Sequence, residues 1–202
     1  IRGVERILED LAEEPDMARA IIGRIRSFYE RYLERILEAS GGLLDILLTG
    51  DDFGQQKGPL LSPGMWEDFL ADGFRGYMDL AHSRRVRTMH HTCGDVRLIM
   101  GRMRELGLDI LQSLQPESMQ DYFDEMKRIH GPKMSFQGGI SIQRTLPYGK
   151  PADIIAEVKD RAARLGGGGG YIFCTAHNIQ ADCPAGNVMA LLEAYRSFGG
   201  YS

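Results

Sequence analysis

The sequence predicts an α/β protein, a parallel sheet covered by helices that closes as part of a (β/α)8 barrel. Three observations carry this. Short apolar runs alternate with helical-period segments five times over, and each run ends in a polar turn. No glycine-rich phosphate fingerprint of the doubly wound type follows the first run. A whole barrel needs about eight strands and about 250 residues, whereas this chain of 202 residues shows five βα units. It also lacks a starting methionine. The expectation is therefore the C-terminal portion of a barrel, a single domain over residues 1–202, whose N-terminal strands lie upstream of Ile1.

The elements follow in order. Residues 1–42 read as a helical lead-in, in which Val4, Ile7, Leu8 and Leu11 recur at helical spacing. Pro15 opens a second helix, where its missing N–H costs nothing. That helix carries Ala20, Ile21, Ile25, Phe28, Tyr32, Ile36 and Leu37 and stops at Gly41-Gly42. The βα units fill residues 43–202. Leu43 to Thr49 is a buried strand with acids at its C-terminal end. Ser62-Pro63 combines a capping hydroxyl with a proline at the first helical position, and the helix runs through Trp66, Phe69, Leu70, Phe74 and Met78. A second strand, Val86 to His91, precedes a helix presenting Val96, Ile99, Met100, Met103 and Leu106. Leu108 to Leu114 is the third strand and Met119 to Ile129 the helix after it. Lys133 to Gln137 is the fourth strand, followed by a helix from Pro151 to Leu165. Gly166 to Gly170 reads as a helix cap and flexible entry, since it lacks the Lys-Ser/Thr ending of a phosphate loop. The fifth strand is Tyr171 to Cys174, and the last helix runs from near Pro184 to near Phe198.

Composition narrows the function classes. Apolar residues make up 43% and charged residues 26%, as in an ordinary globular protein. A net charge of −4 gives no electrostatic case for nucleic acid or for an anionic membrane. No run approaches the roughly 18 apolar residues of a membrane helix, and the N-terminus lacks the layout of a signal peptide. Three cysteines are too few and too odd in number for a disulfide scaffold, which points to a reducing cytoplasm. An open barrel would expose apolar strand edges and favour pairing with another chain, a homodimer being one form of it.

Active sites of parallel α/β folds gather at the C-terminal strand ends. Those ends here are Asp51-Asp52, His91-Thr92-Cys93, Gln112 to Gln115, Gln137-Gly138-Gly139, and Cys174 through His177. His91 and Cys93 stand two apart on a strand and so share a face. An imidazole and a thiolate suit zinc, whose catalytic sites keep one position open. The third ligand would come from Cys174, His177 or Cys183. The competing reading makes Cys93 and Cys174 buried fillers and Cys183 a helix-entry residue. Asp51 and Asp52 are candidate catalytic acids, one anchoring a cation or a proton and the other capping the next turn. Gln115, Gln137 and Gly138 are candidate substrate contacts for a small molecule. His82, His90 and His130 read as surface or helix-end residues, with His90 turned away from the mouth.

Several segments together resemble the uroporphyrinogen decarboxylase superfamily. They are Gly50 to Gln56, Leu61-Ser62-Pro63, His91 to Val96, Leu108 to Leu111 with Leu114-Gln115-Pro116, Phe136 to Ile140, and Ala176 to Pro184 with Asn187-Val188. The resemblance implies a (β/α)8 barrel with its active site at the mouth. The H-x-C-G segment is more like the methylcobamide:thiol methyltransferases of that superfamily than its true decarboxylases. In those enzymes the His and Cys of the motif and a later Cys bind zinc. Counted back from Pro184, the later ligand falls on His177, so this chain has His where they have Cys. The resemblance thus implies a metal set of His91, Cys93 and His177, with His177 also a catalytic candidate. It implies zinc-activated attack of a thiol on a methyl group carried by a corrinoid, which a partner protein supplies. Two other readings stand beside it: a metal-free porphyrinogen decarboxylase, in which a His at this place faces substrate, and a non-catalytic fragment or binding module.

Overall fold

The computed structural model describes residues 2–200. The chain packs as two compact units, one of Ile1–Leu47 with Leu61–Arg87, the other of Leu48–Leu60 with Thr88–Ser202.

The first unit is helical. Helix α1 spans Val4–Glu13 and α2 spans Pro15–Ala39. Pro15 sits at the start of α2, as its fixed φ favours. The short α3, Pro63–Trp66, begins at Ser62, whose hydroxyl accepts the Met65 N–H at 3.2 Å. The expected Ser-Pro cap is therefore present. The helix widens into a π turn over Glu67–Ala71 before α4, Asp72–Ser83. Leu33 and Leu37 of α2, four residues apart on one face, meet Ala81, Val86 and Leu47 in the core of this unit.

The second unit holds the chemistry. Five strands form one parallel sheet: β1 Ile46–Gly50, β4 Arg87–His91, β5 Ile110–Leu114, β6 Ser135–Ile140 and β7 Tyr171–Thr175. Two tiny strands, β2 Gly54–Gln55 and β3 Gly58–Pro59, make a separate antiparallel hairpin. The sheet order is β1-β4-β5-β6-β7. Each long strand thus lies beside its predecessor in sequence. A doubly wound sheet reverses its order at a switch point; a barrel does not, so the topology is that of a partial barrel.

The covering helices are α5 Arg97–Glu105, α6 Pro116–Met119, α7 Phe123–His130, α8 Thr145–Tyr148, α9 Pro151–Gly166 and α10 Ala185–Phe198. A single 3-10 turn, Gln120–Tyr122, joins α6 to α7. Ile154, Val158 and Leu165 of α9 project at helical spacing into the sheet side, where Ile154 and Val158 meet Ile140, Leu146, Ala190 and Leu191. Phe136 and Leu114 are fully buried at the sheet centre. The hairpin, the π turn and α8 were not expected. Gly-Gln-Gln-Lys-Gly-Pro offers no alternation of apolar residues, so periodicity is silent over the hairpin. The fourth strand continues past Gln137 through two glycines. Pairing with β7 and the Tyr171 hydroxyl on the Gly138 carbonyl, at 2.7 Å, override the low strand propensity of glycine.

Candidate metal centre at the strand ends

Alternation along β4 sorts its end into two faces. His90 and Thr92 turn to one side. His90 is buried, stacked on Phe53 at 5.0 Å, with its Nδ1 2.8 Å from Thr49 Oγ1. Thr92 Oγ1 accepts the Phe53 N–H at 2.9 Å. The expectation that His90 points away from the mouth holds, but it is a packed interior residue and not a surface one. Burial pushes its pKa down to about 3, so the ring is neutral. His130 is likewise buried at the end of α7, while His82 is exposed.

His91 and Cys93 turn to the other face. The Cys93 sulfur lies 3.5 Å from His91 Nε2. His177, in the loop after β7, presents its ring edge-on to His91 with centroids 5.4 Å apart. One ligand atom from each of His91, Cys93 and His177 lies within 4.8 Å of the others, a group able to hold a metal ion. Of the three candidates for the third position, His177 joins the pair; Cys174 and Cys183 are partly buried free thiols outside the group.

Several contacts hold this arrangement. Gln112 stands level with His91 on the next strand, and its Oε1 is 2.7 Å from His91 Nδ1. Ser113, the next residue, is buried and donates its hydroxyl to the Ala176 carbonyl, directly before His177. Asp52 accepts the Cys93 N–H at 2.9 Å and lies 3.9 Å from His91 Nε2. Over this turn the hairpin is pressed tightly. A Cβ on Gly54 would stand 2.4 Å from the Cys93 carbonyl oxygen, and one on Gly94 2.5 Å from the Gln55 nitrogen. Only glycine permits that approach, and Gly94 also takes φ +80°. The Asp95 N–H then donates to Gln55 O at 2.7 Å.

The electrostatics favour a ligand over a free nucleophile. Burial pushes the Cys93 thiol upward, the Asp52 carboxylate adds to this, and the Ser113 hydroxyl partly offsets it. Left alone, the thiol stays protonated and a poor nucleophile. A divalent cation would ionise it outright. Two imidazoles and one thiolate are a donor set that zinc accepts, and three protein ligands leave one position open.

The other expected residues surround the centre unevenly. Asp51 is pushed toward the protonated form, first by desolvation and then by the Asp52 charge. Gln115 is buried, accepting the Gly94 N–H at 3.1 Å, which orients its amide; its Nε2 has no partner among the described residues. Gln115 lines a cleft of about 560 Å³ with Cys93, Gly94, Gln55, Lys57 and Pro59. Gln137 is level with Gln112, and its Oε1 is buried without a partner among the described residues. Gly138 is buried in the sheet at φ +120°, against the Leu114 backbone. The sequence placed Gln112 and Ser113 among the strand ends but gave them no individual role. The signal that could have found them is register, because the residue level with a ligand on the adjacent strand shares its face.

The sequence profile of the Uroporphyrinogen decarboxylase (URO-D) family matches residues 1–198. The chain belongs to the uroporphyrinogen decarboxylase family. No curated protein matches this URO-D family member. Among solved structures, a methyltransferase from Methanosarcina mazei is similar in fold, with a TM-score of 0.76 at 23% identity. That match covers 98% of this chain and 54% of the other, so the chain spans about half the length of that structure. No helix among the described residues is long and apolar enough to cross a membrane.

Proposed function

We propose that this URO-D family chain carries the metal-binding end of a methyltransferase that moves a methyl group from a corrinoid to a thiol. The observation that carries the reading is the meeting of His91, Cys93 and His177 within one coordination sphere. The methyltransferase from Methanosarcina mazei shares the fold and adds weight to it. Zinc bound by these three side chains would lower the pKa of a thiol in its open position.

The chain's own residues then have defined work. Asp52, largely exposed and beside His91 and Cys93, takes the proton released from the substrate thiol and passes it to water. Asp51, beside it, is less readily ionised than an ordinary aspartate because of its burial and the Asp52 charge. Gln115 and Gln137, each with one amide atom left without a partner among the described residues, orient the body of the substrate, while Gly138, its carbonyl held by Tyr171, shapes the sheet beside them. A corrinoid presented by a partner protein would supply the methyl group: a sulfur–carbon bond would form as the cobalt–carbon bond broke, with that electron pair left on cobalt.

The test is metal analysis of the purified protein with thiol methylation from methylcobalamin. About one zinc per chain, and loss of both zinc and methyl transfer in Cys93→Ala, is the expected result. A protein that contains no zinc, or a Cys93→Ala variant that still methylates a thiol, defeats the proposal. Release of carboxyl groups from a porphyrinogen by the zinc-free protein would put the lyase reading in its place.

A further inference from the structure

We propose that Gln112 is a positioning residue that fixes the proton of His91 on Nδ1 and so reserves Nε2 for a metal ion. The inference rests on reading the strand ends as a metal centre. His91 Nδ1 lies 2.7 Å from Gln112 Oε1. Its other nitrogen, Nε2, is the one that faces Cys93 Sγ, at 3.5 Å. A ring nitrogen binds a metal only through its lone pair, so the proton must sit on the far side.

Among the described residues, Gln112 is the hydrogen-bond partner that would put it there. A free histidine side chain favours the Nε2–H tautomer. Asp52 is 3.9 Å from Nε2 and would draw the proton toward itself. Gln112 opposes both, and its position is fixed by the sheet. His91, Gln112 and Gln137 stand level across three adjacent parallel strands. Residues level in a parallel sheet point to one face, so the sheet sets the Gln112 side chain beside the His91 ring.

The choice of an amide has a second consequence. Metal-bound histidines commonly donate to a carboxylate, which pushes charge into the ring. A neutral amide oxygen pushes less. The ion would keep more of its pull on the group in its open position, and would be held less tightly than with an acid at this place.

The experiment uses the full chain labelled with nitrogen-15 histidine. In the metal-free wild type the His91 signals should show Nδ1–H. Gln112→Leu should shift them to Nε2–H and weaken zinc binding, measured by chelator competition, by about 10–100-fold. Gln112→Glu should keep Nδ1–H and bind zinc at least as tightly as the wild type. An Nε2–H tautomer in the wild type overturns the proposal, whether or not the variants fold. So does a Gln112→Leu protein with unchanged tautomer and affinity. Should the wild type bind no zinc, the metal reading falls, while the tautomer assignment is still decided in the metal-free protein.

Discussion

Lowering the pH should destabilise this protein through His90. The ring is buried against Phe53 and held by Thr49, and burial brings its pKa from the ordinary 6.5 to about 3. The unfolded chain takes up a proton at this histidine as the pH falls through its ordinary value, and the folded chain does not. Folding stability from this group is therefore whole above the ordinary value and is lost on acidification, until the folded ring also titrates. Between about pH 7 and about pH 5 the loss is about 2 kcal/mol, the free energy of protonating only the unfolded state. That is a sizeable share of a total stability of about 5–15 kcal/mol. The assay is urea unfolding of the metal-free protein at both pH values, in the wild type and in His90→Gln. The glutamine can still meet Thr49 but does not titrate, so other groups cancel in the difference. The gap in stability between the two proteins should narrow by about 2 kcal/mol at the lower pH. A gap that stays constant to within about 0.5 kcal/mol would show that His90 titrates alike in both states, and the reasoning from its burial would be wrong.

Three further outcomes are expected. Gly54→Ala should lift the hairpin off the Cys93 turn, because its Cβ would meet backbone at 2.4 Å; zinc affinity should drop while far-ultraviolet circular dichroism stays unchanged. Glu157 is nearly buried, and desolvation raises its carboxyl pKa despite Arg161 at 3.3 Å and the Ser141 N–H, with the Glu117 charge adding to the rise. The folded state thus binds this proton more readily than the unfolded one, so the contribution of Glu157 is present below the ordinary glutamate value and lost as pH rises through the folded value; across that window the urea midpoint of Glu157→Gln should decline less with rising pH than that of the wild type. Phe136→Ala should cost about 3–5 kcal/mol by thermal or urea unfolding, since the ring is wholly buried at the sheet centre.

The barrel character was readable because it depends on repetition. Five apolar runs with polar ends are visible in one dimension, and the observed strands begin and end within a few residues of them. The pairing of His91 with Cys93 was equally readable, since period-two geometry acts between neighbours in sequence. The strand-end reading reached His177 only as one of three candidates and resemblance to a family singled it out, because its approach to His91 depends on the closure of the sheet from β4 to β7. The particular roles of Gln112 and Ser113, which the sequence placed only at a strand end, lay beyond reach for another reason. Their roles come from register, and register is set by which strand pairs with which, a long-range property. The hairpin shows the converse limit. No sequence pattern marks Gly54 or Gly94, yet each is required by the backbone of the other segment.

Replacing a cysteine by His177 at the third position changes the electrostatics of the proposed centre more than its shape. Two thiolates and an imidazole would cancel the charge of a divalent ion. One thiolate and two imidazoles leave it with a single positive charge. That excess falls beside Asp52 and Asp51, where the sheet has gathered two acids and kept one of them inclined to hold its proton. A positive centre next to a pair of carboxyl groups attracts an anionic fourth ligand such as a thiolate more strongly than a neutral centre does. It also stabilises the ionised form of Asp51, opposing the burial that raises its pKa. His177→Cys should therefore bind zinc more tightly and activate a thiol less. Zinc competition together with the pH profile of thiol methylation would read both changes. A variant whose thiol methylation profile stays where the wild type has it would show that the charge of the donor set does not govern the reaction.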